Sequence, residues 1–314
     1  MSPFSSDLLL AALSQSDSEA TASWKAWRGA TDIQQAPWPE LQFISMLNGT
    51  RLDEWLVDDP ESGVIKGIVR RTWLEAQVRL ALAKDATAIL ESAGCARSTL
   101  LGSAGSNLRA LHLPAIRPIS EIRLLIGRQD LGAADRALES HGWRRYGDFP
   151  KIEEMDWWTH LPYFGNGVPL YLHWRALNVA PDHAAACERQ FRSGHGEIQA
   201  VGTSFRILSP GLALLEAVAP RSDSKGVDVI PWQAEAALIT SSEIDWKQWT
   251  AMAARFCPTA IDRISELGAL GVDFPLLPKP SSRLHWPRGL AGSARALRRR
   301  IGLWANRMRA AGGD

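Results

Sequence analysis

Cysteine is scarce: the 314 residues hold three, Cys95, Cys187 and Cys257, far apart and at no spacing that suits a zinc site or a redox pair. That scarcity speaks for reduced thiols in a cytoplasm over a disulfide framework. Long apolar runs are missing too, since no uninterrupted stretch approaches the ~20 residues that cross a bilayer. The opening Met-Ser-Pro-Phe-Ser-Ser-Asp carries none of the basic residues that start a secretory leader. A cytosolic protein is the expectation. Charge of one sign is not in excess, because 35 basic residues face 34 acidic ones for a net of +1, which gives no global pull toward nucleic acid or membrane. The seven histidines show no metal-ligand spacing. What is present is an ordinary soluble composition, 46% hydrophobic and 22% charged, sized for one large or two modest domains.

The first ninety residues read as helical. Asp7 is placed to cap a helix through Ser14, and Asp17 or Ser18 to cap a second carrying Trp24 and Trp27. Pro37 separates a third segment with Leu41, Phe43, Ile44 and Leu47, and Asp58-Asp59-Pro60 with Ser62-Gly63 marks a turn. From Val64 to Ala93, Val69, Trp73, Ala76, Leu80, Ala83 and Leu90 recur at three and four, the pattern of a long amphipathic helix that stops at Gly94. Its tryptophan is assigned to the core.

After Gly94 the period changes. Ser98-Thr99-Leu100-Leu101 reads as a strand, Gly102 to Asn107 as a small-residue turn, and a helix continues through His112. A strand-turn-helix of this kind either cradles an anion on backbone N–H groups or simply needs small residues to turn tightly. Ile116 to Gly127 is a second strand. Residues two apart share a face of an extended chain, so Glu121 and Arg123 are neighbours and read as an ion pair. A helix from Asp130 to Ser140 and a strand over Gly142 to Tyr146 complete an alternating α and β core.

Several segments together carry a resemblance. They are Arg71-Thr72-Trp73, Leu100-Leu101-Gly102-Ser103, Arg117-Pro118-Ile119-Ser120, Gly142-Trp143, His160-Leu161-Pro162, Leu172-His173-Trp174 and Leu208-Ser209-Pro210. In these the chain resembles the uncharacterised nucleotidyltransferases, a branch of the polymerase-beta-like superfamily often encoded beside exopolysaccharide or ribosomal-peptide biosynthesis. The resemblance implies an α+β fold, a nucleotidyltransferase-like mixed β-sheet core flanked by N-terminal and C-terminal helical regions. It also implies Mg2+ and an NTP as cofactors of an active member.

Position by position, the family's Asp-x-Asp becomes Glu121-Ile122-Arg123 and its glycine-segment lysine becomes Leu101. The acid expected two residues before the His-Trp pair becomes Tyr171. Only Glu121 keeps the expected charge, and an arginine cannot surrender its proton to make room for a metal. Gly102, Ser103, Arg117 and His173 fall at nucleotide-binding positions. Arg117 meets a phosphate or makes a surface ion pair, and His173 orients a phosphate or is a satisfied, partly buried histidine. Glu154 and Asp156, two apart in a strand reading Glu-Met-Asp-Trp-Trp, are relocated carboxylates or solvated strand residues.

Beyond Pro210 the pattern is helical again: Gly211 to Val218, Val229 to Thr240, and segments around Trp246 to Phe256 and Ile261 to Leu267. Pro275 to Pro280 reads as a linker. The end is basic, with Arg283, Arg288, Arg295, Arg298, Arg299, Arg300, Arg307 and Arg309 and no acid before Asp314. Its apolar residues recur at helical spacing, which suits docking on the body or an acidic partner, with an anionic membrane as the other surface. The division expected is a helical region over 1–94, the core over 95–208, a helical bundle over 209–274, and linker plus basic helix over 275–314. Two functions are open. One is a degenerate accessory or binding protein in a peptide or polysaccharide pathway, whose partners are a pathway protein or peptide and a nucleotide. The other is a divergent active transferase working through Glu121. No nucleic-acid motif is present.

Overall fold

The structure is a computed structural model and describes residues 5–14, 16–47, 49–109, 118–147, 158–220, 232–240 and 243–269. All of them fall in one compact unit, Met1–Leu277. Arg117, Glu154, Asp156, the linker and the basic C-terminal segment lie outside the described residues.

Helices α1 (Ser6–Leu13), α2 (Asp17–Ala30), α3 (Trp38–Phe43) and α4 (Gly49–Trp55) precede the longest element, α5 (Ser62–Ser92). The caps differ from those expected: Ser5 Oγ accepts from the Asp7 N–H and Ser16 Oγ from the Glu19 N–H. Asp7 and Asp17 sit inside the first turns instead, where a carboxylate meets the positive end of the helix. In α5 the buried stripe is Ile65, Ile68, Thr72, Ala76, Leu80, Ala83, Ala86 and Leu90. Trp73, expected in the core, is 43% exposed. Thr72 takes the inward place, and one residue along a helix turns the next side chain by about 100°, so the ring faces out. Gly94, at φ +76°, ends the helix in a conformation that favours glycine.

The core follows as β1 (Thr99–Leu100), α6 (Gly102–Arg109), β2 (Ile122–Leu125), α7 (Leu131–Ser140), β3 (Arg144–Arg145), β4 (His160–Gly165), β5 (Val168–His173), α8 (Pro181–Ser193), β6 (His195–Ala200) and β7 (Thr203–Leu208). The strands form one mixed sheet in the order β3-β4-β5-β2-β1-β7-β6, with β2 parallel to β5 and β1 parallel to β7. This is an α+β fold around one mixed sheet, as expected. The second strand is shorter than its apolar run of 116–127: Gly127 leads into a 3-10 turn, Arg128–Asp130. Helices α9 (Pro210–Val218), α10 (Trp232–Thr240), α11 (Trp246–Phe256) and α12 (Thr259–Ala269) complete the described chain.

The pleat divides the sheet chemically. Ile122 and Leu124 of β2 share a face with Leu170, Leu172, Leu161 and Tyr163, and they pack with the second half of α5 and with α7. On the other face, Leu101, Leu125 and Leu208 join a second cluster with the N-terminal helices and with α8, α9, α11 and α12. Arg123 lies on that second face, between its apolar neighbours.

One surface tie holds α2 to the turn before α5. Arg28 donates from Nε to Asp59 at 2.8 Å and from Nη2 to Asp59 at 3.0 Å and Glu61 at 3.1 Å. The Arg28 hydrogen bond holds the Asp59 carboxyl below its ordinary value near 3.8. A depressed carboxylate contributes stability that is present above its unfolded value and lost as pH falls through the folded one. Asp59→Asn is therefore expected to cost roughly 1.5–3 kcal/mol at neutral pH. The difference from wild type should shrink as pH drops below about 4. Thermal melts of both proteins across that range check it.

Candidate functional site

The arginine in the second strand organises the site. Alternation along β2 sends Arg123 to the face opposite Ile122 and Leu124, where it is 8% exposed. A guanidinium so placed must be compensated by charge and hydrogen bonds. Its Nη1 donates to Glu216 Oε1 at 2.5 Å, and Glu216, on α9, is 3% exposed. Its Nε donates to His173 Nε2 at 3.2 Å and lies 3.8 Å from Glu121 Oε1. The expected ion pair with Glu121 exists, but Glu216 is the nearer and more buried partner. His173 reaches Arg123 because β2 and β5 run parallel with Arg123 beside Tyr171 and Leu125 beside His173. Since Nε2 accepts, the proton of a neutral His173 ring sits on Nδ1.

The turn after β1 closes one side of the arginine. Gly102 opens α6 at φ +61°, and a Cβ there would stand 3.1 Å from Arg123 Nη1 and 3.3 Å from its Cδ. Glycine is required both by the backbone and by the side chain lying against it. Leu101 N–H donates to Arg123 O at 2.9 Å, locking the turn to the strand. One turn further along α6, Ser106 Oγ is 3.4 Å from Glu235 Oε1, both residues being buried. The face of α6 that meets the sheet arginine thus also meets a second buried carboxylate, from α10.

Of the residues singled out in the sequence, Gly102, Glu121, Arg123 and His173 come together, and Tyr171 stands beside Arg123 in the sheet register. Tyr171 packs edge-on to His160 with ring centroids 5.2 Å apart, and His160 lies 4.9 Å from His173. Ser103 is half-buried in the first turn of α6. Glu216, Glu235 and His160 were missed. A signal for the first existed: Glu216 is the sole charge in Pro-Gly-Leu-Ala-Leu-Leu-Glu-Ala-Val, and a lone acid in an apolar helix must be paired when that helix is buried.

A divalent cation takes oxygen ligands and is repelled by a fixed positive charge. Here a guanidinium lies between the carboxylates of Glu121 and Glu216. Among the described residues, no three His, Cys, Asp or Glu side chains are gathered as a metal ion would need. The donor set on this face does not fit a two-metal clamp.

Residues 72–255 match the family described as "Uncharacterised nucleotidyltransferase", more than half of the chain. The chain belongs to this family. The matched span starts within α5, takes in the whole sheet and ends in α11, so Gly102, Glu121, Arg123, His173 and Glu216 all lie inside the nucleotidyltransferase-family region. No curated protein matches the chain. Among the described residues, no helix is long and apolar enough to cross a membrane.

Proposed function

We propose that this member of the family is catalytically degenerate and acts as an accessory or binding protein in a biosynthetic pathway that builds a peptide or a polysaccharide. The observation that carries the reading is the buried Arg123–Glu216 pair. Phosphoryl chemistry in this superfamily works by neutralising charge on the triphosphate with metal ions. Arg123 supplies a fixed positive charge at the place where a carboxylate would hold the ion, and Glu216 consumes that charge internally. A nucleotide meeting the Gly102 turn finds a guanidinium already engaged. The residues that remain at this face, Glu121, Tyr171 and His173, suit holding a ligand or partner better than activating a hydroxyl.

The alternative is an active transferase moving a nucleotidyl group from an NTP to a hydroxyl acceptor. Glu216 favours it in one respect, because it brings a second carboxylate to within one guanidinium of Glu121. Transfer assays with labelled NTPs, Mg2+ or Mn2+ and candidate acceptors separate the two. The degenerate reading expects no label incorporated by wild type with either metal. Turnover by wild type that is lost in Glu121→Gln, with the melting temperature unchanged, supports the alternative.

A further inference from the structure

The exposed face of α5 has a pattern that the core does not explain. Leu74 and Val78 are 48% and 57% exposed on adjacent turns, within the described part of a compact unit. They are i,i+4 neighbours on one open helix face, so a single partner element laid there covers both. The exposed charges beside them are segregated along the helix: Lys66, Arg70 and Arg71 are in its first half and Asp85 in its second, where the neighbouring half-buried Lys84 donates to Val201 O.

We propose that this face is a self-association surface, on which α5 packs antiparallel against α5 of a second copy about a twofold axis near Ala76. The spacing carries the partner's identity. Under an antiparallel twofold, positions whose numbers sum to the same value meet across the interface. Leu74 with Val78, and Gly67 with Asp85, both centre on Ala76. Gly67 and Asp85 are eighteen residues apart, about five turns, so they lie on one line of the helix. Asp85 of each copy then enters over Gly67 of the other, beside Arg70 and Arg71, the i+3 and i+4 neighbours of that glycine. Nothing lies within 4 Å of a Cβ built on Gly67, so space for an approaching side chain is open. Each Leu74 meets Val78 of the other chain at the centre. The charge layout is self-complementary in the antiparallel arrangement and self-repelling in the parallel one, where Lys66 would meet Lys66 and Asp85 would meet Asp85.

Sedimentation velocity of the full chain from roughly 1 to 200 µM tests this, a range suited to a modest interface. Wild type is expected to pass from monomer to dimer. Leu74→Asp and Asp85→Lys are each expected to weaken the dimer by about ten-fold or more. Combining Asp85→Lys with Arg70→Asp and Arg71→Asp should restore it. These side chains are exposed, so melting of the dilute variants should be unchanged, and circular dichroism verifies that. A wild type that stays monomeric throughout overturns the proposal. So does a dimer indifferent to Leu74→Asp. A dimer lost in Leu74→Asp but unaffected by Asp85→Lys, or not restored by the charge exchange, overturns the antiparallel pairing.

Discussion

Arg123→Ala is expected to destabilise the protein by about 3–5 kcal/mol, the usual cost of removing one partner of a buried ion pair. The cost arises on the surviving side. Glu216, 3% exposed on a helix that is buried around it, would lose the guanidinium that donates to its Oε1. Glu121 suffers less, because its side chain is 29% exposed and can turn to water. His173 would lose the donor at its Nε2. The same argument gives the opposite sign for a paired replacement. Arg123→Met with Glu216→Leu removes both charges and fills comparable volume, and such exchanges are often neutral or stabilising by about 1–4 kcal/mol. Urea denaturation of the two single variants and the double variant closes a cycle, and a large coupling energy is the expected result. Purely additive losses would show that the two side chains contribute independently.

Asp135→Ala should rank next, at roughly 2–4 kcal/mol, through a different polar cluster behind the sheet. Asp135, on α7 and 7% exposed, accepts from the Tyr163 hydroxyl at 2.6 Å and from Arg145 Nε at 2.8 Å, with a further bond from Arg145 Nη2. Tyr163 is 1% exposed, so truncating its acceptor leaves a buried hydroxyl without that bond. Tyr163→Phe removes the hydroxyl cleanly and should cost only about 1 kcal/mol. Burial, reinforced by Asp135, raises the Tyr163 phenol above its ordinary value of 10.0. A raised phenol favours the neutral folded state, so its contribution is intact below about pH 10 and is lost as pH climbs toward the folded value. Equilibrium unfolding of Asp135→Ala, Tyr163→Phe and wild type at neutral and alkaline pH reads both effects.

What the sequence made legible followed local periodicity. The long helix, the strand through Arg123 and the helix ending before Gly142 are set by spacing of two or of three and four, and the structure has them, with Glu121 just before the strand Ile122–Leu125. The α+β core was visible for the same reason, helped by the family resemblance. Tertiary choices were not. Val69 and Trp73 fit the buried stripe of α5 as well as Ile68 and Thr72 do by spacing alone, and only the position of the neighbouring elements decides that Thr72 turns in. Glu216 is the sharper case. Its partner is 93 residues away in sequence, so the strand offered Glu121 as the local partner of Arg123, and nothing local joined that arginine to the lone acid of the apolar helix. Ser5 and Ser16 displaced the expected caps by a residue or two because serines and an aspartate crowd each helix start, Ser5-Ser6-Asp7 in one and Ser16-Asp17-Ser18 in the other.

Under the proposed reading, Arg123, held by Glu216, stands in place of a metal-binding acid. Calorimetric titration of the full chain with each nucleoside triphosphate, with and without Mg2+, tests it most directly, since any ligand that binds the native state also stabilises it by mass action. The expected result is no binding, or binding whose affinity is the same with and without the metal. Nucleotide binding that requires Mg2+, and is lost in Glu121→Gln, would contradict it.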